Sequence, residues 1–488
     1  MKLSKNNLIL LLILSLAFII RIAGINWGFP ATLHSDESVT IRSALGMRFG
    51  NFNPNHFDWP SFYFYINYFF FWIFIKLRVQ LQLIFGVEFL KNTFPFWWGP
   101  DLPFYFIGRF ISAVFSTLTG FIIFKISKYI FKEFKYQILC VIIYAVSFYS
   151  IYYSYYALPD NALTFFVSLT VLLSLKILKD NKILNYLLAG SAVGLAMSTK
   201  YHGVLASISV ISAHLISGFN IKRLFCYKLI IAGIFCIIAF LLTTPYALLD
   251  FELFSNTKDA TGAFWQFSHM GKALNWNYYI FESLPKSVTL LGVFLGFIGI
   301  FFSFKRKNKY IKIVSIQFLF LLSYIGTWGI TRPHYSLPLI PLLCLLLVYG
   351  IYELKIKFNK SWFLPIVILL LVLRPIIDIT YEIICRNNTD TRIVAGNWIK
   401  NNIPKTSTIL LEGNPTKYYG GDNPIFDWES YKTVNIKDPI YNLKNSTGAY
   451  AIENDKTNRK NFSDLPSSNC VIFEGKFRTG PDILICKN

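Results

Sequence analysis

Through the first 380 residues, apolar positions fall in blocks of about 17 to 25 separated by short polar turns, the length a helix needs to cross a bilayer. The blocks lie at 7–25, 104–124, 137–157, 162–178, 183–198, 204–219, 229–247, 285–304, 313–330, 336–352 and 362–380, eleven predicted spans of which the fifth and sixth are short. The run 59–72, rich in Phe, Tyr and Trp, is apolar enough to be a twelfth. A single extra span there would invert the charge of every later loop. It reads instead as a juxtamembrane helix lying in the interface, where Trp and Tyr are favoured. The alternative is a pair of spans, the second around 79–90, which would keep the parity.

Charge tests this count. With the amino terminus inside, the inner segments up to residue 380 hold 20 basic residues against three acids, Glu133, Asp180 and Glu353, whereas the rest of that region holds 13 basic and 11 acidic residues. The positive-inside rule therefore predicts an N-in, C-out protein.

Two pieces lie outside the bilayer in this topology. Residues 26–103 form a first extracytoplasmic loop with juxtamembrane helices, attached to a transmembrane domain over 1–380. Residues 381–488 change composition, with 14 basic and 12 acidic residues, many Asn, and the turn Gly420-Gly421-Asp422-Asn423-Pro424. They read as a small extracytoplasmic soluble domain. Strands are predicted at 408–411, 470–473 and 483–486 and a helix at 391–401, an α+β module. The fold class is thus mainly α, a polytopic helical bundle with a small α+β appendage.

Composition agrees: 54% of the chain is hydrophobic and 18% aromatic, the profile of a polytopic membrane protein. The net charge of +21 sits on short inner turns between apolar spans, not on one folded face. This disfavours a nucleic-acid partner and favours anionic lipid heads as counter-ions. Lys2 and Lys5 precede the first apolar run as in a signal peptide, but no small-x-small cleavage site follows closely, so the segment reads as a retained anchor. Cys140, Cys226, Cys236 and Cys344 fall in spans and act as small apolar residues. Cys385, Cys470 and Cys486 lie in the outer domain, where a Cys470–Cys486 bridge and three free thiols are both open.

Acids are scarce, 26 in 488 residues, so the adjacent pair Asp36 and Glu37 just after the first span stands out as candidate chemistry. Charges bordering apolar runs are costly to keep in a membrane protein. Four groups of them fall on the outer side: His34 with Asp36 and Glu37; Asp160, in the turn before the fourth span; Lys200-Tyr201-His202, joining the fifth and sixth; and Arg332-Pro333-His334-Tyr335, ahead of the tenth. Carboxylates and cations together on one face suit a base working near a bound phosphate, the cations holding the anion and a carboxylate taking a proton from an attacking hydroxyl. Plainer roles compete: Asp160 as a helix N-cap, Lys200 as an interfacial anchor, Asp36 as a helix-capping residue, and the histidines as hydrogen-bonded scaffolding.

The ordered series of first span, outer acid pair, aromatic segment, Arg109-Phe110-Ile111-Ser112-Ala113, Leu158-Pro159-Asp160, Ser198-Thr199-Lys200-Tyr201 and Arg332-Pro333-His334-Tyr335-Ser336-Leu337-Pro338 resembles the GT-C glycosyltransferases related to the dolichyl-phosphate-mannose protein mannosyltransferases and the bacterial aminoarabinose transferase. The resemblance covers roughly residues 7–350. It implies a GT-C bundle of about eleven transmembrane helices in the plasma (inner) membrane. It also implies an inverting transfer of a hexosyl or pentosyl group from a polyprenyl-phosphate donor to a lipid, glycan or protein acceptor on the extracytoplasmic face. Asp36 would be the base, Glu37 its support and Asp160 a second catalytic acid. Lys200 would face the donor phosphate, with Arg332, His334 and Tyr335 in the later polar motif and His34 and His202 as further candidates. Trp59-Pro60-Ser61 stands where relatives often show consecutive prolines, and the insertion 78–103 is long; both bear on acceptor recognition.

No zinc spacing is present and no cofactor is required, although Glu37 orienting a divalent ion is compatible with the pattern. The residues show no glycosidase-type nucleophile, which favours single displacement. The competing class is a lipid-linked-sugar transporter or flippase without transferase activity, but no internal repeat of the transporter kind is visible.

Overall fold

The structure, a computed structural model, describes residues 4–47, 50–218, 226–256, 258, 262–264, 274–358, 360–412, 423–437, 439, 449–455 and 470–487. The predicted end of the sixth span at Phe219 and the turn at Gly420, Gly421 and Asp422 lie outside the described residues. The chain forms two compact units, one of residues Met1–Ile25 with Thr40–Ile379, the other of Asn26–Val39 with Thr380–Asn488. The stretch 26–39, predicted to belong to the first loop of the membrane domain, thus clusters with the carboxy-terminal residues.

The first unit is built from helices α1 (Lys5–Ile22), α3 (Phe62–Phe85), α4 (Leu102–Ile130), α5 (Phe134–Ala145), α6 (Asp160–Asp180), α7 (Ile183–Thr199), α8 (Ser207–Ile216), α9 (Tyr227–Thr243), α10 (Leu284–Lys305), α11 (Lys309–Ile325), α12 (Leu339–Phe358) and the start of α13 (Phe363–Asn387); α2 (Ser35–Gly46) follows α1. Among the described residues seven helices are long and apolar enough to cross a membrane by length and composition, α1, α3, α4, α6, α10, α12 and α13. The helices α7, α8 and α9 are shorter apolar segments. Helices α4, α6 and α12 are mostly buried, whereas α1, α3 and α13 carry exposed large apolar residues such as Leu12, Phe69 and Leu370. That distribution suits a hydrocarbon solvent, in which an apolar outer face costs nothing.

The aromatic segment belongs to a helix longer than the run 59–72. One 24-residue helix runs from Phe62 to Phe85, so no separate span forms around 79–90, and α3 itself meets the length and apolarity of a span. The run is helical well past the aromatic residues because Lys76 to Phe85 contains neither Gly nor Pro; Gly86, at φ 78°, ends it.

The span predicted at 137–157 is also not continuous. It breaks after α5, and the two helical pieces Phe134–Ala145 and Phe148–Tyr155 bend by 58°. A break inside a bilayer frees carbonyls that water cannot satisfy, and Arg21 of α1 satisfies them. It is wholly buried, donating from Nη2 to Tyr144 O at 3.3 Å and from Nη1 to Ala145 O at 3.1 Å. The same guanidinium donates to Ser116 Oγ at 2.8 Å and Ser150 Oγ at 2.9 Å. Arg21, a charged residue within the first predicted span, is the plug for the break in another.

Helix contact is close where side chains are small. Gly190 and Gly194 of α7 lie against α9, so near that an added Cβ would overlap the carbonyl oxygens of Ala232 and Cys236, the small-xxx-small packing of membrane helices.

In the second unit, a five-stranded sheet has the order β2-β1-β3-β5-β4, with β1 Thr408–Leu411, β2 Lys432–Asn435, β3 Tyr450–Asp455, β4 Cys470–Phe473 and β5 Asp482–Lys487. Strand β1 runs parallel to β2 and β3, while β5 is antiparallel to β3 and β4. Helix α14 (Thr391–Asn402) buries Ala395 and Ile399 against Ile409, Leu411, Ile452 and Ile483. Cys470 and Cys486, opposite each other across β4 and β5, form a disulfide, and Cys385 is a buried free thiol. Asp390 caps α14 through Arg392 N at 3.0 Å and accepts from Thr479 Oγ1 at 2.7 Å, while Trp27 Nε1 donates to Thr479 Oγ1 at 2.6 Å, tying 26–39 to this unit.

Gly190→Val should force α7 and α9 apart, costing about 1–3 kcal/mol. A lowered thermal midpoint of the detergent-solubilised protein checks it, and an unchanged midpoint would contradict the close packing.

Candidate active site

Asp160 is the first residue of α6, following the turn Leu158-Pro159. Pro159 starts the helix without a side-chain cap, so the Asp160 carboxylate is used elsewhere and is not the N-cap that its position suggests. It accepts from Lys200 Nζ at 2.8 Å. Lys200 ends α7 with extended backbone, φ −149° and ψ 138°. That conformation turns the chain into the 3₁₀ segment Tyr201–Ala206. Asp160 is 3% and Lys200 6% exposed. Lys200 is therefore a buried partner in an ion pair, not an anchor reaching for the interface.

Aromatic rings surround this pair. The Lys200 ammonium lies 5.8 Å from the ring centroids of both Trp59 and Tyr335, within the range of cation–π attraction. Tyr335 packs on Trp328 at 4.6 Å and on His334 at 4.5 Å, His202 meets Trp328 at 5.5 Å, and Tyr153 meets His334 at 5.5 Å. Burial, reinforced by the Lys200 ammonium, pushes the His202 imidazole down to about 3, against an upward pull from Asp160. It is therefore neutral at physiological pH and adds no second positive charge beside Lys200. Burial raises the Tyr335 phenol, with Lys200 and Arg332 pulling it back. Tyr335 thus presents a neutral hydroxyl. Arg332 is exposed at the start of the 3₁₀ turn Pro333–Ser336.

The structure thus gathers Asp160, Lys200, His202, His334 and Tyr335, with Arg332 close enough to act on Tyr335. It also brings in Trp59, marked in the sequence only as part of the aromatic segment, and residues the sequence did not mark: Asp58, Trp328 and Tyr153. Asp58 acts electrostatically on Tyr201 and Tyr335, and its loop is held by Tyr201, whose hydroxyl donates to Phe57 O at 2.7 Å. An Asp-Trp pair directly ahead of Pro60, before a long apolar helix, was the available signal.

The remaining candidates His34, Asp36 and Glu37 belong to the second unit. Asp36 and Glu37 open α2, about 100° apart around the helix. Asp36 is half-buried and accepts from Ser35 Oγ at 3.2 Å, Glu37 is fully buried, and His34 is half-buried. Among the described residues no group of three His, Cys, Asp or Glu is placed to hold a metal ion.

Removing one partner of a buried pair strands the other charge. Asp160→Asn should destabilise the protein by about 3–5 kcal/mol, and adding Lys200→Met should recover most of it. Thermal unfolding of the single and double variants checks this; a single variant as stable as the parent would contradict the pair.

The family model of dolichyl-phosphate-mannose-protein mannosyltransferases matches residues 105–247, a segment containing Asp160, Lys200 and His202. No curated protein matches the chain. Among solved structures, ArnT from Cupriavidus metallidurans bound to undecaprenyl phosphate superposes with a TM-score of 0.52 at 12% identity, covering 99% of this chain and 98% of that one. ArnT from the same organism in the apo state gives 0.52 at 13% identity with the same coverage. At such identity the likeness is one of fold. The chain is a multi-pass integral membrane protein with a GT-C fold and a small carboxy-terminal sheet domain, and it resembles the polyprenyl-phosphate-sugar glycosyltransferases, its mannosyltransferase-like domain lying at residues 105–247.

Proposed function

We propose that the protein is an inverting glycosyltransferase that moves a hexosyl or pentosyl group from a polyprenyl-phosphate donor to a lipid, glycan or protein acceptor on the extracytoplasmic face of the plasma (inner) membrane. The observation that carries this reading is the buried Asp160–Lys200 pair inside the segment matched by the mannosyltransferase model. A lysine kept charged in a buried, ring-lined place by one carboxylate is preorganised to meet a phosphate, because its position is fixed before the anion arrives. The solved ArnT structure bound to undecaprenyl phosphate lends the same donor chemistry to a chain of this fold.

The reaction is a single displacement. The acceptor hydroxyl attacks the anomeric carbon as its proton passes to Asp36, the bond from that carbon to the phosphate oxygen breaks, and polyprenyl phosphate departs with both bonding electrons. Lys200 and Arg332 stabilise the departing charge, and Asp160 holds Lys200 in place. His334 and Tyr335 line the donor phosphate's side, and Glu37 supports Asp36. Polyprenyl phosphate leaves as a stabilised anion and needs no general acid, so one base and a few cations suffice.

In reconstituted vesicles, Asp36→Asn should lower transfer by three or more orders of magnitude while leaving folding and insertion unchanged; retained turnover would remove Asp36 from the base role. Lys200→Ala should raise the donor KM more than it changes that of the acceptor. Equal effects on both substrates would remove its phosphate role. The displacement requires no metal, so turnover measured with excess EDTA should equal that with added magnesium or manganese, and loss of activity on chelation would assign the charge stabilisation to an ion.

A further inference from the structure

Helix α6 carries Asp160 at one end and Lys176 and Lys179 near the other, about 24–29 Å away at 1.5 Å per residue. At that far end a cleft of about 620 Å³ opens between α4, α6 and α11. Lys125 and Lys128 of α4 face it from one side and Lys176 and Lys179 from the other, with Tyr129 and Tyr310 completing the polar lining. A second cleft of about 500 Å³ shares Lys128, Tyr129 and Tyr310 and adds Lys132, Lys307 and Lys309. No carboxylate lines either one.

We propose that this twin cleft is a binding site for the phosphate headgroup of an anionic phospholipid, on the face of the membrane opposite the candidate active site. Three observations support it. No acid at this end lines a cleft: Glu133 pairs with Lys135 and Glu353 with Arg306 at 3.1 Å, while Asp180 lies 3.9 Å from Lys182 and reaches the clefts only as a charge acting on Tyr129. The cleft's ammonium groups therefore repel one another across a small volume, and an anion seated between them converts that repulsion to attraction. The two central lysines are also positioned by rings of their own helix, Lys125 Nζ lying 4.9 Å from the Phe121 centroid and Lys128 Nζ 4.6 Å from that of Phe124.

The third observation selects a lipid over a dissolved phosphate. The remaining wall of the first cleft is apolar, made of Phe121, Ile122 and Leu172, and Phe121 is exposed on the outside of α4. A headgroup held by the lysines would lay its acyl chains along that wall. The tyrosine hydroxyls supply donors for phosphate or glycerol oxygens. A free anion would use the lysines and leave the apolar wall without a role. The positive-inside excess places the cleft on the cytoplasmic face, where anionic lipids attract basic residues.

The test compares the full chain with Lys125→Gln/Lys179→Gln, both exposed positions, and with Lys305→Gln/Lys312→Gln, which removes equal charge outside the clefts. Affinity is read by native mass spectrometry and thermal shift with short-chain phosphatidylglycerol, phosphatidylcholine and inorganic phosphate. Phosphatidylglycerol should bind the parent, and the cleft variant should bind roughly 30-fold more weakly while the control changes less than about threefold. Equal losses in the two variants would overturn the site in favour of diffuse charge. Phosphatidylcholine binding as tightly as phosphatidylglycerol would overturn the anionic headgroup. Inorganic phosphate stabilising the protein as well as the lipid does would overturn the lipid. A cleft variant that aggregates is replaced by Lys125→Gln alone, for which a fivefold loss supports the site and no loss overturns it. None of these readouts depends on sugar transfer.

Discussion

Polar groups inside an apolar solvent must find partners within the protein, and this requirement shapes the membrane unit more than any other. It decides where a helix can break, which charge can be buried and what surrounds it. Arg21 is the plainest case. A guanidinium on the first helix is kept in the interior because another helix is interrupted there, and its donors replace the water that the carbonyls of Tyr144 and Ala145 would otherwise need. The broken span is not a defect in the bundle but one half of a complementary pair.

The same rule governs the Asp160–Lys200 pair. Either charge alone in that setting would be expelled or neutralised; together, enclosed by Trp59, Tyr335 and the neutral His202, they hold a fixed ammonium at the edge of the bundle. Such a pair adds little to stability compared with apolar packing of the same volume. In the proposed transfer its use is a cation fixed in place before a phosphate arrives. At the opposite end of α6, Asp180 pairs with Lys182, while Lys176 and Lys179 face a cleft that no carboxylate lines, the place proposed for an anionic headgroup.

Much of this was legible in the sequence. Long apolar runs are a strong signal because a bilayer demands both length and apolarity, and Asp160 and Lys200 stood out as rare charges bordering such runs. Four features were not legible. The break after Ala145 lies in a run with no Gly or Pro to announce it, and the residue that satisfies its freed carbonyls, Arg21, is more than a hundred positions away. The length of α3 was hidden because its second half, from Lys76 to Phe85, mixes Lys, Arg and Gln with apolar residues. Strands β2 and β3 were missed because Lys432 to Asn435 is a polar edge strand and Tyr450 to Asp455 ends in Glu-Asn-Asp; long-range pairing with β1 and β5 makes them strands, not local preference. Asp58 escaped notice for a similar reason, since what brings its loop to the site is long-range, the Tyr201 hydrogen bond to Phe57.

The proposed transfer requires the chain to break a sugar–phosphate bond and not merely to carry a lipid-linked sugar. The most direct measurement supplies the purified protein in vesicles with a polyprenyl-phosphate sugar of known anomeric configuration and a panel of acceptors, and follows products by NMR. An inverting transferase releases polyprenyl phosphate in step with a new glycosidic bond of inverted configuration. Movement of the intact donor across the bilayer with no bond cleaved would contradict it.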